Sequence, residues 1–157
     1  MMTQSRERPV FKLSPKGGWW LENWTDSRFL AGITDRHTQE TALLAQLPQP
    51  FLSVGAQQVH GASIAVIQGD HPSGQSISGC DALMTRQSGI AVLVKTADCI
   101  PLLVVDPVRQ ISAVAHCGWR GLQAELPLRL IALMRHVFHS KAADVRVAIG
   151  PCIRVCC

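Results

Sequence analysis

A chain of 157 residues with a formal net charge of +4, 47% hydrophobic and 17% charged residues has the size and composition of one folded domain with its own core. That balance excludes an intrinsically disordered chain. The scatter of Lys and Arg, with no basic stripe interleaved with aromatics, excludes a nucleic-acid surface as the expected partner. No apolar run approaches the ~18 residues of a membrane span, and MMTQSRERPVFKLSP lacks the apolar block of a signal peptide, so a cytoplasmic protein without a membrane partner is expected. In that compartment the six cysteines, at 80, 99, 117, 152, 156 and 157, point to reduced thiols or metal ligation rather than disulfides.

Residues 1–18 are polar and basic and end in Lys16-Gly17-Gly18, which predicts a flexible lead-in before a single domain over 19–157. Trp19, Trp20 and Trp24 read as aromatics covering a sheet edge or packed beneath a loop. A strand over 28–34 and a short helix over 38–47, stopped by Pro48-Gln49-Pro50, place Arg36 on the loop between them. Strand-like patterns follow from Phe51 to His60-Gly61 and over 63–67, as a second hairpin or a bent strand. The Gly-, Ser- and Pro-rich stretch 69–79 reads as a surface loop with His71 solvated, and 81–85 and 90–97 read as strands around a turn at 87–89.

The most informative stretch is 94–122. Its apolar runs 100–105 and 111–115 flank Asp106-Pro107-Val108-Arg109, whose Asp and Pro supply turn chemistry, so the expected element is a β-hairpin. With the turn centred between Pro107 and Val108, Asp106 faces Arg109, Val105 faces Gln110 and Cys99 faces His116. Directly paired residues share a face with Cβ atoms roughly 4.5–5.5 Å apart, a gap that one metal ion can bridge. The opposite face, pairing Ile100 with Ala115, Leu102 with Ala113 and Val104 with Ile111, is core. A one-residue slip would take Cys99 off the face of His116. Beyond Gly118 and Gly121, Leu126, Leu130, Ile131, Leu133, Met134 and Val137 follow a helical period, with Pro127 marking either the helix start or a kink. A last strand is expected over 145–149.

Singly, His60, Cys99 and His116 have bland explanations: a strand-end histidine, a small buried hydrophobe, another strand-end histidine. In combination, Gln58-Val59-His60-Gly61, Thr96-Ala97-Asp98-Cys99, Ala115-His116-Cys117-Gly118-Trp119-Arg120-Gly121 and Ile149-Gly150-Pro151 resemble the signature blocks of the laccase-domain, or YfiH-like, proteins. Members are called polyphenol oxidases in older naming and purine nucleoside phosphorylases by activity. The resemblance covers residues 54–157 and implies that His60, Cys99 and His116 ligate zinc with one position left open, a pattern of catalytic rather than structural zinc. It also implies an α/β fold of two packed mixed β-sheets with outer helices, a four-layer α/β/β/α arrangement. The family carries Ala where this chain has Cys117, which places a sulfur beside a ligand. Thr34-Asp35-Arg36 matches part of an N-terminal Ser-Thr-Arg-like block, and no Ser-Leu-Asn-like block follows. The family domain continues past the Gly-Pro block, so a C-terminally truncated domain, prone to associate with itself, is expected.

The function so implied is phosphorolysis of adenosine, inosine, guanosine and methylthioadenosine to free base and ribose 1-phosphate, with adenosine deamination as a second activity. The partners are a purine nucleoside and phosphate. Arg120, near a helix start, and Arg36 are the candidate anion contacts. Asp98 points away from the ligand face and reads as structural, Asp81 is undecided, and no carboxylate is singled out as proton shuttle. Three other readings stand: a copper-dependent phenol oxidase, since His and thiolate also suit copper; a metal-free cysteine hydrolase using Cys99 and His116; and an inactive fragment holding metal only for folding.

Overall fold

Short apolar runs broken by turn residues dominate the sequence, and in the computed structural model they become many short strands and few helices. The structure describes residues 10–22, 29–47 and 51–155. The chain divides into two compact units, Met1–Pro50 and Phe51–Cys157.

The first unit contains β1 (Phe11–Leu13), β2 (Trp19–Leu21) and β3 (Gly32–Ile33), an antiparallel sheet in that order, followed by α1 (Glu40–Leu44). Residues 10–18 thus include β1 and the turn that follows it. Gly17 and Gly18, with φ of +89° and +77°, make a tight turn that folds β1 onto β2, a left-handed conformation that glycine adopts without a Cβ clash. Trp20 covers Gly32, where an added Cβ would lie 2.9 Å from the indole ring, and its Nε1 donates to Gln46 Oε1 at 3.3 Å. Trp24, Arg28, the stop at 48–50 and residues 1–9 lie outside the described residues.

The second unit runs β4 (Leu52–Gln57), β5 (Ile64–Ile67), β6 (Gln75–Ser78), β7 (Ala82–Thr85), β8 (Ile90–Leu93), β9 (Ile100–Asp106), β10 (Ile111–Cys117), α2 (Trp119–Gln123), α3 (Leu126–Phe138) and β11 (Arg146–Ile149). Five strands form a mixed sheet in the order β11-β9-β10-β7-β5, antiparallel except for the β5–β7 pair. Three form a parallel sheet, β6-β4-β8. Strand alternation then assigns each side chain a layer. Leu102, Val104, Ile111, Ala113 and Ala115 pack under Leu126, Leu130 and Met134 of α3. Leu83 and Ile67, from the other face, meet Val54 and Ile90 of the smaller sheet. Both cores are apolar, and each fully buried Leu or Met in them contributes roughly 1.5–3 kcal/mol of transfer free energy. The α/β arrangement of packed sheets with a helix outside is the one expected, with the smaller sheet parallel throughout. No helix among the described residues is long and apolar enough to cross a membrane.

Three local expectations change. β4 and β5 are not a hairpin: they belong to different sheets, and the chain crosses between layers at 58–63. β7 and β8 are likewise split between sheets. Residues 75–78, expected in a surface loop, form β6, because Ile77 packs against the inter-sheet core while β6 runs parallel to β4. Of the two alternatives at Pro127 the helix start holds: Glu125, with φ of +60°, breaks the chain after α2, α3 begins at Leu126, and Pro127 occupies its first turn.

The central hairpin forms, but its register is two residues away from the expected one. Asp106 pairs with Ile111, Pro101 with His116 and Ile100 with Cys117. The loop is four residues long, closed by Gln110 at φ +58°, and Asp106 Oδ1 accepts from the Val108 and Arg109 N–H groups at 2.9 Å each. A shift of two preserves which side chains share a face. Cys99 therefore moves from directly opposite His116 to the diagonal position, still on the same side.

Candidate metal centre

One end of the mixed sheet gathers the three ligand-type residues. His116 occupies the last turn of pleat in β10 and is buried, Cys99 immediately precedes β9, and His60 sits on the crossing between the two sheets. One ligand atom from each lies within 4.8 Å of the others, and the His60 and His116 rings meet edge to face at a centroid distance of 4.7 Å. Donors bonded tetrahedrally to one ion at ~2.0–2.3 Å stand about 3.5 Å apart, so a pair at the outer limit of this cluster closes by about 1 Å around a metal. His60 is exposed and free to supply that movement. Gly118 leaves the space: a Cβ there would be 3.2 Å from both Cys99 Sγ and His60 Cδ2 and 3.7 Å from His116 Cε1. Two imidazoles and a thiolate around a side-chain-free pocket fit a borderline-soft ion such as zinc or copper.

What holds these residues is a carboxylate that sequence reasoning left undecided. Asp81 precedes β7 directly across the ladder from His116, whose N–H donates to the Asp81 carbonyl at 2.7 Å. Its side chain is fully buried. Oδ1 lies 2.8 Å from His116 Nδ1 and accepts from the His60 N–H at 2.9 Å; Oδ2 accepts from Gly61 at 2.8 Å and Val59 at 3.2 Å. Burial raises the Asp81 carboxyl, but the bonds from His116, Gly61, Val59 and His60 together outweigh it and hold the group below its ordinary value. Three successive backbone N–H groups around one carboxylate form an anion nest. They also hold His60 at φ +60°, a left-handed conformation costing of order 1 kcal/mol for a residue with a Cβ. The sequence signal was Asp81 itself, an acid at the head of an otherwise apolar strand; its partners became visible only once β7 was placed beside β10.

Gln58 performs a related task. Its Nε2 donates to the Lys95 carbonyl and its Oε1 accepts the Lys95 N–H, both at 2.7 Å. The side-chain amide thereby continues the β4–β8 pairing and ties the His60 segment to the one leading to Cys99. Gly121 completes the packing, since a Cβ there would come 2.8 Å from the Gly61 carbonyl oxygen. Cys117 does not add a sulfur to the cluster. It alternates away from His116 into the core under α3, where burial, with the Asp81 and Cys99 charges, pushes its thiol up to about 11.

Residues 35–157 match the family model described as multi-copper polyphenol oxidoreductase laccase. The chain belongs to this laccase family. Among curated relatives, purine nucleoside phosphorylase YlmD of Geobacillus stearothermophilus is 34% identical over 110 residues, 66% of this chain and 40% of that protein. A purine nucleoside phosphorylase of Bacteroides thetaiotaomicron is 33% identical over 116 residues, 70% and 42% of the two chains. Adenosine deaminase RL5, from an unknown prokaryotic organism, is 38% identical over 79 residues, 50% and 29%. The matched part of this chain thus spans less than half the length of these relatives. The crystal structure of G. stearothermophilus YlmD is similar with a TM-score of 0.85 at 25% identity, over 96% of this chain and 67% of that one.

Neither arginine singled out for substrate is one of the three ligand-type residues of the cluster. Arg120, on α2, is exposed and lies over the exposed Trp119 ring at 4.4 Å. Arg36 belongs to the first unit, exposed in the turn before α1, where its Nε donates to His37 Nε2 at 3.0 Å. Asp98 is exposed, and its carbonyl accepts the Ile153 N–H at 2.9 Å.

Proposed function

We propose that this laccase-family chain is a zinc-dependent purine nucleoside phosphorylase acting on adenosine, inosine, guanosine and methylthioadenosine, with adenosine deamination as a second activity. The observation that carries the proposal is the convergence of His60, Cys99 and His116 around the Cβ-free position of Gly118. The names of the relatives supply the reaction class. In this reading His60, Cys99 and His116 hold the ion, which when bound supplies a Lewis acid that polarises an oxygen of phosphate or activates water. Asp81 keeps the His116 ring oriented, and the Gln58–Lys95 bridge keeps His60 and Cys99 in step. Arg120 offers a guanidinium to the phosphate oxygens, held in place by its stacking on Trp119; Arg36 is a second anion contact.

A copper-dependent phenol oxidase is the second reading, favoured by the description of the matching family. A metal-free hydrolase would need only Cys99, His116 and Asp81. It leaves His60, kept in a costly backbone conformation beside them, without a task. The deciding experiment measures metal content together with turnover of adenosine in phosphate buffer. Phosphate-dependent release of adenine that tracks zinc supports the proposal, and inosine formation without phosphate identifies the deaminase activity. Phenol oxidation that tracks copper, with no base released, would replace it with the second reading.

A further inference from the structure

The Asp81 carboxylate makes four hydrogen-bonding contacts, two at each oxygen, and in three of them the donor is a backbone N–H group. An ionised carboxylate is an acceptor only. With His60 N–H already donating to Oδ1, the 2.8 Å contact to His116 Nδ1 is satisfied only if Nδ1 carries its proton. The lone pair of the neutral ring then belongs to Nε2. The same carboxylate fixes the backbone of 59–61, from which the second imidazole projects.

We propose that Asp81 is the positioning residue of the metal centre: it selects the Nδ1–H tautomer of His116, presents Nε2 to the ion, and through the 59–61 turn sets the place of His60. The inference rests on the metal-centre reading for its purpose, and on the hydrogen-bond geometry alone for the tautomer. Partners of this kind behind a ligating histidine typically contribute 10–100-fold in metal affinity.

The Asp81→Asn variant separates positioning from packing, because it conserves size while replacing one acceptor oxygen by an NH2 donor. If the amide oxygen takes the place of Oδ2, it still accepts from Val59 and Gly61. The NH2 then faces the His60 N–H and His116 Nδ1. The reverse orientation opposes two N–H groups instead of one, so the first is favoured. His116 must then accept at Nδ1 and carry its proton on Nε2, where it blocks the ligand lone pair.

The test is 15N NMR of the imidazole rings in the full chain stripped of metal by a chelator, followed by titration with zinc. The expected result in the wild-type chain is a protonated Nδ1 and unprotonated Nε2 on His116. In Asp81→Asn the expected result is the opposite tautomer, with zinc affinity lower by 10–100-fold and a cooperative melt retained. Protonation on Nε2 in the wild-type chain would overturn the inference without any variant, so it stays testable if Asp81→Asn does not fold. An Asp81→Asn chain with unchanged tautomer and unchanged affinity would overturn it too. A wild-type chain that shows the expected tautomer but binds no zinc or copper would refute the metal reading and leave the tautomer assignment standing.

Discussion

Gly118→Ala tests the metal centre by filling it. Gly118 has φ −72° and ψ 168° at the start of α2, an extended conformation open to any L-residue, so alanine adds no backbone strain and stiffens the unfolded chain by about 0.4–1 kcal/mol. The metal-free fold should therefore melt at or slightly above the wild-type temperature. The new methyl meets Cys99 Sγ and His60 Cδ2 at 3.2 Å, contacts a few tenths of an ångström too short, and both neighbours are side-chain tips that can swing aside. They cannot swing aside and also converge on one ion. Overpacking of this kind costs about 1–3 kcal/mol, which at 1.4 kcal/mol per tenfold corresponds to roughly a 5- to 150-fold loss of zinc affinity. Competition against a chromophoric chelator measures the affinity, and calorimetry of the stripped protein measures the fold. Zinc affinity within twofold of wild type would show that the ion does not sit among these three side chains.

Two further expectations concern the cysteines. Cys99→Ala should lose metal and turnover together, whereas Cys80→Ala should keep both, because Cys80 is buried between the sheets with its thiol on the Ile77 carbonyl at 3.4 Å; full metal occupancy in Cys99→Ala would remove Cys99 from the ligand set. In the metal-free protein at pH 8, alkylation mapped by mass spectrometry should mark half-exposed Cys99 well before Cys117. A thiol pushed up to about 11 is almost wholly protonated there and gains reactive thiolate roughly tenfold per pH unit until that value is reached. Rapid modification of Cys117 at pH 8 would contradict its burial.

What was legible in the sequence was local. The hairpin of β9 and β10 could be read because turn residues sit between two apolar runs, and its faces came out correctly since parity survives an error of two. The register itself did not, because a four-residue loop closed by a left-handed Gln110 resembles, in sequence, a two-residue turn with longer strands. Periodicity marks a strand but says nothing of its neighbour, which is why β4 with β5, and β7 with β8, looked like hairpins although each pair is divided between two sheets. β6 was hidden by its Gln and Ser content: only Ile77 among its residues carries a core signal. The convergence of His60 with Cys99 and His116 came from motif resemblance, not from any spacing. Asp81 stayed undecided because all four of its donors are 20 or more positions away.

The placement of β7 bears on how this molecule can change. All four of its residues are buried: Ala82 and Met84 lie under the helix, Leu83 lies between the sheets, and Thr85 donates to the Ile67 carbonyl at 3.0 Å. A strand with no wet side has no position where a substitution is absorbed by solvent, and any change in side-chain volume shifts both layers against each other. Asp81 is the next residue along, so its carboxylate inherits that immobility from the two cores and not from its own bonds alone. Random replacement in 82–85 should therefore damage the imidazole pair at a distance, while the exposed face of α3 remains open to variation.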